Sequence, residues 1–195
     1  MIDIHAITNS IFTSKTYILS KQGYDKAWLV DIGDIMPVED YLSNHNMEVA
    51  GVFLTHAHFD HIYGIEALVE QYSACKIYCT EYAKEALASD KLNMSKYNGT
   101  PLCYSGENIV TVHEGEQMML FEDESPIMFY ETPGHNPGCL TMVLGNMIFT
   151  GDSYIPGVGA NTRVPRADKA LAKVSLERIL KLAEEKQILS GHQIG

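Results

Sequence analysis

Three histidines and one aspartate lie within six consecutive positions of the stretch "FLTHAHFDHIYG", at His56, His58, Asp60 and His61. In an extended chain, side chains two residues apart point to the same side, so His56 and His58 can bind one metal ion together. Asp60 and His61 follow as the chain turns toward a helix, and they can bind a second ion. Imidazole and carboxylate ligands suit Zn²⁺, Fe²⁺ or Mn²⁺. The stretch therefore indicates a metal site with nitrogen and oxygen ligands.

Three later segments also place a metal-binding side chain directly after an apolar run. His135 lies in "ETPGHNPG", Asp152 in "FTGDS" and His192 in "LSGH". Loops that follow strands are well placed to project side chains into a cleft. We expect the strands to bring these three residues to one edge of the sheets, where they complete the site begun at residues 56–61.

The elements that must position these residues follow an α/β pattern, in which apolar runs alternate with amphipathic segments. In the first half, strands are predicted at 2–7, 16–20, 27–33, 49–55 and 76–79, and helices at 37–45, 64–72 and 81–89. The second half is predicted to contain strands at 108–112, 116–121, 127–132, 139–144, 146–150 and 187–190. A helix at about 168–185 carries the apolar residues Leu171, Val174, Ile179 and Leu182. The polar stretch 90–106 is predicted to be a loop beside the site.

Length and composition indicate one globular domain over residues 1–195. No apolar run approaches the roughly 20 residues of a membrane-spanning helix. The opening "MIDIHAITNSIF" lacks a basic region followed by an apolar one, so no secretion signal is expected. Four cysteines without zinc-site spacing indicate reduced thiols and a cytoplasmic protein. The cysteines, and Met118 and Met119, are each interpreted as buried apolar residues.

The formal net charge of −11 disfavours nucleic acid as a partner, because binding to phosphates depends on Lys and Arg. A small-molecule substrate is expected, with no membrane partner. The sequence leaves the oligomeric state open.

In order and spacing, the motifs HxHxDH, TPGHxPG, TGDS and a late GH resemble those of the metallo-β-lactamase superfamily over essentially the whole chain. Within it, the glyoxalase II-like branch of small hydrolases is the most similar. The resemblance implies an αββα four-layer sandwich with two metal ions, two Zn²⁺ in the first instance, at the edge of the sheets. The residues that match the family's ligands are His56, His58 and His135 for the first ion, Asp60, His61 and His192 for the second, and Asp152 as the bridging carboxylate.

The resemblance also implies a chemistry. A hydroxide that bridges two divalent ions is a nucleophile near pH 7, and it would cleave a small thioester, lactone or related acyl compound. Asp60 would be both a ligand and the group that orients the water or accepts its proton. Asp31 matches a position that supports the metal loop from behind, although a strand-end aspartate that caps a turn is an alternative. Tyr154 and Arg163 are candidate substrate-binding residues, with a core tyrosine and a solvated arginine as the alternatives.

Two features depart from the family pattern. Asn136 stands where threonine is commoner, and we expect this difference to matter little. The sequence ends three residues after His192, without the helical segment with which glyoxalase II enzymes hold glutathione. A glutathione thioester is therefore not the expected substrate, and His192 is expected to be mobile, with a weakly held second ion.

An oxidoreductase is the main alternative. Persulfide dioxygenases share these motifs but use one iron, held by residues that match His56, His135 and Asp152, and the other ligand positions can persist unused. The flavodiiron pattern HxExDH fits less well, because residue 58 is His.

Overall fold

Two mixed β-sheets lie face to face in the computed structural model, which describes residues 1–122 and 124–192. The first sheet has the strand order β1-β2-β3-β4-β5-β6, with antiparallel pairing from β1 to β3 and parallel pairing from β3 to β6. Its strands are β1 Ile2–Thr8, β2 Lys15–Lys21, β3 Lys26–Val30, β4 Glu48–Phe53, β5 Lys76–Cys79 and β6 Ile109–Thr111.

The second sheet has the strand order β11-β10-β9-β8-β7. Its strands are β7 Gln117–Met118, β8 Ile127–Glu131, β9 Leu140–Leu144, β10 Met147–Gly151 and β11 Gln187–Ser190. Only β10 and β11 pair in parallel, and the other neighbours are antiparallel. A tight turn with Gly145 at φ +56° joins β9 to β10.

Helices cover the outer face of each sheet. They are α1 Ile35–His45, α2 Ile65–Gln71, α3 Glu81–Leu87 and α4 Lys169–Leu182. Side chains of β2, β3 and β4 alternate between two cores: Ile18, Leu29 and Val52 belong to the core under α1 to α3, and their neighbours Leu19, Val30 and Phe53 belong to the core between the sheets. This period-two alternation follows from strand geometry. The αββα four-layer architecture expected from the sequence is confirmed.

The first turns of helix α4 pack on the second sheet through small residues, whereas the large residue Ile179 is buried further along the helix. Leu171 and Val174 are exposed, whereas Ala172 and Ser175 are buried. A Cβ on Gly134 would collide with the backbone of Ala172, and Ser175 Oγ donates a 2.6 Å hydrogen bond to Pro133 O. The helix therefore lies so close to this loop that large side chains are excluded from the contact. Of the apolar residues predicted on this helix, Ile179 is fully buried, whereas Leu171 and Val174 are exposed.

Smaller corrections concern strand ends and burial. The strand predicted at 27–33 ends at Val30, because Asp31 takes the left-handed conformation with φ +57°. The strand predicted at 116–121 is only Gln117–Met118, and Met119 is exposed, not buried. Cys103 is exposed as well, whereas the other three cysteines are buried as expected.

In the described part of the chain, no helix combines the length and apolarity that crossing a bilayer requires.

Candidate metal centre

The loops that follow β4, β8, β10 and β11 bring all seven predicted ligands to one edge of the two sheets. Two groups of three are separable, and in each the ligand atoms lie within 4.8 Å of one another. We call them the first triad, made of His56, His58 and His135, and the second triad, made of Asp60, His61 and His192. Asp152 forms a further group with His56 and His61, so it connects the two triads.

The first triad consists of three buried imidazoles. His58 Nδ1 lies 2.9 Å from His135 Nε2. His56 Nε2 is buried and has no hydrogen-bond partner among the described residues. On its far side, His135 Nδ1 lies 2.8 Å from Asn161 O, which can only accept a hydrogen bond. That contact leaves Nε2 of His135 free to point into the cluster.

The second triad combines two imidazoles with the carboxylate of Asp60, and Asp152 lies against it. His192 Nε2 lies 3.3 Å from Asp60 Oδ2 and 3.2 Å from Asp152 Oδ2. His61 Nε2 lies 3.5 Å from Asp60 Oδ2 and 3.6 Å from Asp152 Oδ1. Asp152 Oδ2 is also 3.5 Å from His135 Nε2, so this carboxylate faces both triads.

Asp31 lies behind residues 56–61, the loop that carries four of the predicted ligands, as the family resemblance implies. Its Oδ1 accepts a hydrogen bond from Thr55 N at 2.7 Å, and its Oδ2 accepts one from Thr55 Oγ1 at 2.7 Å. The same Oδ2 lies 2.8 Å from His61 Nδ1. The carboxylate therefore fixes the start of the loop and orients His61 so that Nε2 points into the second triad.

His192 is held by backbone contacts on three sides. Lys15 N donates to Gly191 O at 2.8 Å, and Gly191 N donates to Gly151 O at 2.9 Å. His192 Nδ1 lies 2.8 Å from Phe12 O. A Cβ on Gly191 would collide with Asp152 Oδ1, so glycine is required at this approach. These contacts hold the imidazole beside the second triad, which argues against the mobility that the sequence led us to expect for His192.

The two triads differ in charge. Burial, together with the neighbouring histidines, lowers the pKa of His58 to about 3 and that of His56 well below its ordinary value. In the second triad burial acts in the same direction, but the nearby carboxylates outweigh it and raise the pKa of His61 to about 9 and that of His192 to about 10. The first triad is therefore neutral at pH 7, whereas in the second the protonated His61 and His192 balance the carboxylates of Asp60 and Asp152.

The residues fit a pair of divalent ions. Among the buried side-chain atoms without a hydrogen-bond partner in the described residues are His56 Nε2 and Asp152 Oδ1, one in the first triad and one between the triads. Buried polar atoms without partners are costly, so their presence at one place indicates a ligand. The donor set is imidazole and carboxylate, which suits Zn²⁺, Fe²⁺ or Mn²⁺.

A pocket of about 260 Å³ opens onto this centre. Its walls carry the apolar residues Phe12, Phe59, Met94 and Val164 and the polar residues Asn98 and Asn161, and its floor carries His58, Asp60, His135, Asp152 and His192. Met94 and Asn98 belong to the stretch 90–106, which includes a short helical turn at Ser95–Asn98. That stretch therefore borders the site, as predicted.

The two predicted substrate-binding residues lie outside this pocket. The described residues that line it do not include Tyr154, which is half-buried and whose carbonyl accepts a hydrogen bond from Thr150 Oγ1. Arg163 is exposed and lies in a neighbouring groove of about 640 Å³, together with Lys169. Asn161 lines both the groove and the pocket, so the two are adjacent.

Sequence reasoning missed several residues that hold the ligands. Phe12 and Asn161 act through their backbone carbonyls, for which a sequence carries no signal. Thr55 directly precedes the metal loop, and its hydroxyl was a usable signal. Asn136 contacts the His58 ring, and its departure from the commoner HTPG pattern was the signal.

Comparisons with known proteins agree with this geometry. A model of the metallo-beta-lactamase superfamily matches residues 21–192. A hydroxyacylglutathione hydrolase of Pseudoalteromonas translucida is 27% identical over 157 residues, which cover 80% of this chain and 52% of that protein. The chain thus spans about half the length of the curated relatives that it matches.

Solved structures show the same fold. The BLEG-1 B3 metallo-beta-lactamase superposes with a TM-score of 0.87 at 24% identity, covering 98% of this chain and 92% of that one. TTHA1623 in a di-iron-bound form superposes with a TM-score of 0.83 at 24% identity, covering 98% and 93%.

Proposed function

The chain belongs to the metallo-beta-lactamase superfamily, and we propose that it is a metal-dependent hydrolase that cleaves a small thioester, lactone or related acyl compound. In this proposal the first and second triads each hold one divalent ion, zinc in the first instance, and Asp152 lies between the two. The main supporting observation is that the two triads share Asp152 and border one pocket.

Two bound divalent ions would lower the pKa of a water molecule and polarise the scissile carbonyl. Asp60 is the group of the chain that would hold a proton during attack, because it lines the pocket and lies beside His192. Although burial opposes ionisation, His61 and His192 lower the pKa of Asp60, so it is a carboxylate at neutral pH. The apolar walls, including Phe59 and Met94, would exclude bulk water and contact the acyl group.

The substrate in this proposal has a short acyl group and an anionic leaving group. A pocket of about 260 Å³ is at the small end of ligand sites, which supports a short acyl group. Arg163 and Lys169 lie in the adjacent groove, where they would bind a carboxylate of the leaving group. Tyr154 does not line the pocket, so it would act on the substrate indirectly, through the position of the loop that carries Asp152. The relatives named hydroxyacylglutathione hydrolase are compatible with an anionic thiol as the leaving group.

Elemental analysis of the protein, purified without added metal, tests the proposal first. We expect about two zinc ions per chain, as two-metal hydrolases contain, followed by turnover of a thioester or lactone in a substrate panel. About one iron per chain would instead favour the dioxygenase alternative, which oxygen consumption with a glutathione persulfide would then test. A neighbour in a di-iron form makes direct measurement of the metal necessary.

His58→Ala tests the contribution of the first triad. We expect hydrolysis to be lost and the metal content to fall to about one ion per chain, because one of three ligands is removed. The fold should persist, since His58 lies in a loop at the sheet edge and not in either core. His113→Ala is the matched control, because His113 is exposed. Retained turnover in His58→Ala would contradict the two-ion assignment.

A further inference from the structure

Asn136 occupies an unexpected place in the site. It is 2% exposed, and its side chain touches both the turn that follows it and the ring of a predicted ligand. Its Oδ1 accepts a hydrogen bond from Gly138 N at 2.8 Å, and its Nδ2 lies 3.0 Å from His58 Nε2. The backbone N–H of Gly138 can only donate, so this contact fixes which end of the amide faces His58.

These contacts determine where His58 carries its hydrogen. The amide Nδ2 is a donor, so His58 Nε2 must accept, and in the neutral ring the hydrogen then lies on Nδ1. Nδ1 in turn faces His135 Nε2 at 2.9 Å, and His135 Nδ1 faces the carbonyl of Asn161 at 2.8 Å. Each hydrogen bond in this series, from Asn136 through His58 and His135 to Asn161, pairs one donor with one acceptor, so the assignment is consistent throughout.

A metal ion requires the opposite arrangement at His58. The atom of His58 that points into the first triad is Nδ1, and it can bind an ion only without its hydrogen. The ring then loses a proton from Nδ1 and takes one up at Nε2, with no net change of charge. The new N–H faces Asn136 Nδ2, so two donors oppose each other. If the amide turned over to accept, its NH₂ group would oppose the N–H of Gly138.

The other four histidines of the centre lack this conflict. In His61, His135 and His192 the ring nitrogen that points away from the centre is Nδ1. It faces a carboxylate oxygen of Asp31 in His61 and a backbone carbonyl in His135 and His192. Behind His56 lies Thr55 Oγ1 at 3.2 Å, whose own hydrogen goes to Asp31. Metal-binding histidines ordinarily have an acceptor at the ring nitrogen away from the metal. Only His58, among the five, faces a donor there.

We propose that Asn136 is a positioning residue that holds His58 in the tautomer with its hydrogen on Nδ1 and thereby lowers the affinity of the first triad for a metal ion. The proposal rests on the assignment of the first triad as a metal site. It reverses the expectation that asparagine in place of threonine matters little.

Nitrogen NMR of the metal-free protein tests the tautomer directly. We expect His58 to carry its hydrogen on Nδ1 in the wild-type protein and on Nε2 in Asn136→Asp, because aspartate offers one oxygen to Gly138 N and the other to His58. The other four histidines serve as internal references. A hydrogen on Nε2 of His58 in the wild-type protein would overturn the proposal.

Zinc titration against a competing chelator tests the consequence. Outer hydrogen-bond partners of metal ligands change affinity by about 10–100-fold, so Asn136→Asp should strengthen the first triad by that order. Asn136→Thr adds no charge and should strengthen it less, which separates hydrogen bonding from electrostatic attraction. The second triad should keep its affinity in Asn136→Thr, because Asn136 does not touch it.

The two experiments separate the two proposals. Failure of the wild-type protein to bind any metal would contradict the proposed function, whereas the tautomer measured without metal would still decide the role of Asn136. Unchanged or weaker zinc binding at the first triad in both variants would overturn the inference. If Asn136→Asp does not fold, Asn136→Thr must carry the increase alone.

Discussion

The two triads are neighbours in one pocket, but they are built on different principles. The first contains only imidazoles, which burial and mutual proximity keep neutral. The second places Asp60 among the imidazoles, and Asp152 faces it as well. The first triad thus offers uncharged imidazole lone pairs to a metal ion. The second offers carboxylate charge, which the protons on His61 and His192 balance in the metal-free protein.

This difference shows how one loop can serve two ions. His56 and His58 lie two residues apart in extended chain, so their side chains point to the same side. There they meet the imidazole of His135, which follows a strand of the second sheet. Asp60 and His61 lie in the helical turn Phe59–His61, which directs them to the other side, toward β10 and β11. A change from extended to helical backbone within six residues therefore divides the motif between two sites.

The largest expected effect comes from the residue that both triads share. Asp152→Asn keeps the shape of the side chain and removes its charge. We expect loss of both ions and of hydrolysis, measured by metal content and turnover. Without metal, removal of one partner from a buried set of charges should also lower the free energy of unfolding by about 3–5 kcal/mol at pH 7, measured by denaturant titration.

Asp168→Asn is the control for that substitution. Asp168 caps α4 by accepting hydrogen bonds from Ala170 N and Leu171 N, and its side chain belongs to neither triad. It should cost at most about 1 kcal/mol of stability and leave the metal content unchanged. If Asp152→Asn retained both ions, the carboxylate would not be the link between the triads.

The triads should also differ in how their affinity depends on pH. His61 and His192 have raised pKa values, about 9 and 10, so both are protonated at pH 7 in the metal-free protein. Metal binding must displace these protons, so affinity at the second triad should rise with pH between 7 and 9, by roughly tenfold per pH unit for each proton. His58, with a pKa of about 3, has no proton to release in this range.

Single-site variants allow that difference to be measured. Calorimetric titration of His58→Ala, in two buffers with different heats of ionisation, counts the protons released when the second triad binds zinc. The same titration of His61→Ala counts the protons released when the first triad binds zinc. We expect about two protons and about none, and equal counts would contradict the division of charge between the triads.

A smaller and more selective effect is expected at Asp31. Asp31→Asn preserves the side-chain shape, and asparagine tolerates the φ of +57° found there. The amide has one acceptor oxygen, whereas the carboxylate accepts from Thr55 N, Thr55 Oγ1 and His61 Nδ1. Zinc affinity at the second triad should fall by about 10–100-fold, whereas that at the first should change less. An equal loss at both triads would mean that Asp31 supports the whole loop and not His61 in particular.

The sequence predicted which side chains meet at the edge of the sheets, because they are of distinctive type and lie in loops that follow strands. The αββα layers were implied by the family resemblance that the motif order carries, and the stretch beside the pocket was predicted from its loss of periodicity. The contacts behind the ligands were not, because the carbonyls of Phe12 and Asn161 reach His192 and His135 only after the chain has folded. At the start of α4, Leu171 and Val174 are exposed because a close approach of two backbones admits only small side chains there, whereas Ile179 further along is buried.

The smallest expected effect separates the side chain of Phe12 from its carbonyl. Phe12 has φ +53°, is 64% exposed and lines the pocket, while its carbonyl accepts a hydrogen bond from His192 Nδ1. Phe12→Ala keeps that carbonyl, so zinc affinity at the second triad should stay within about twofold of wild type, as for other exposed substitutions. The loss of an apolar wall should raise the KM for the acyl substrate while kcat changes little. A fall in zinc affinity at the second triad, measured by chelator competition, would instead mean that the ring is needed to hold the turn that positions His192.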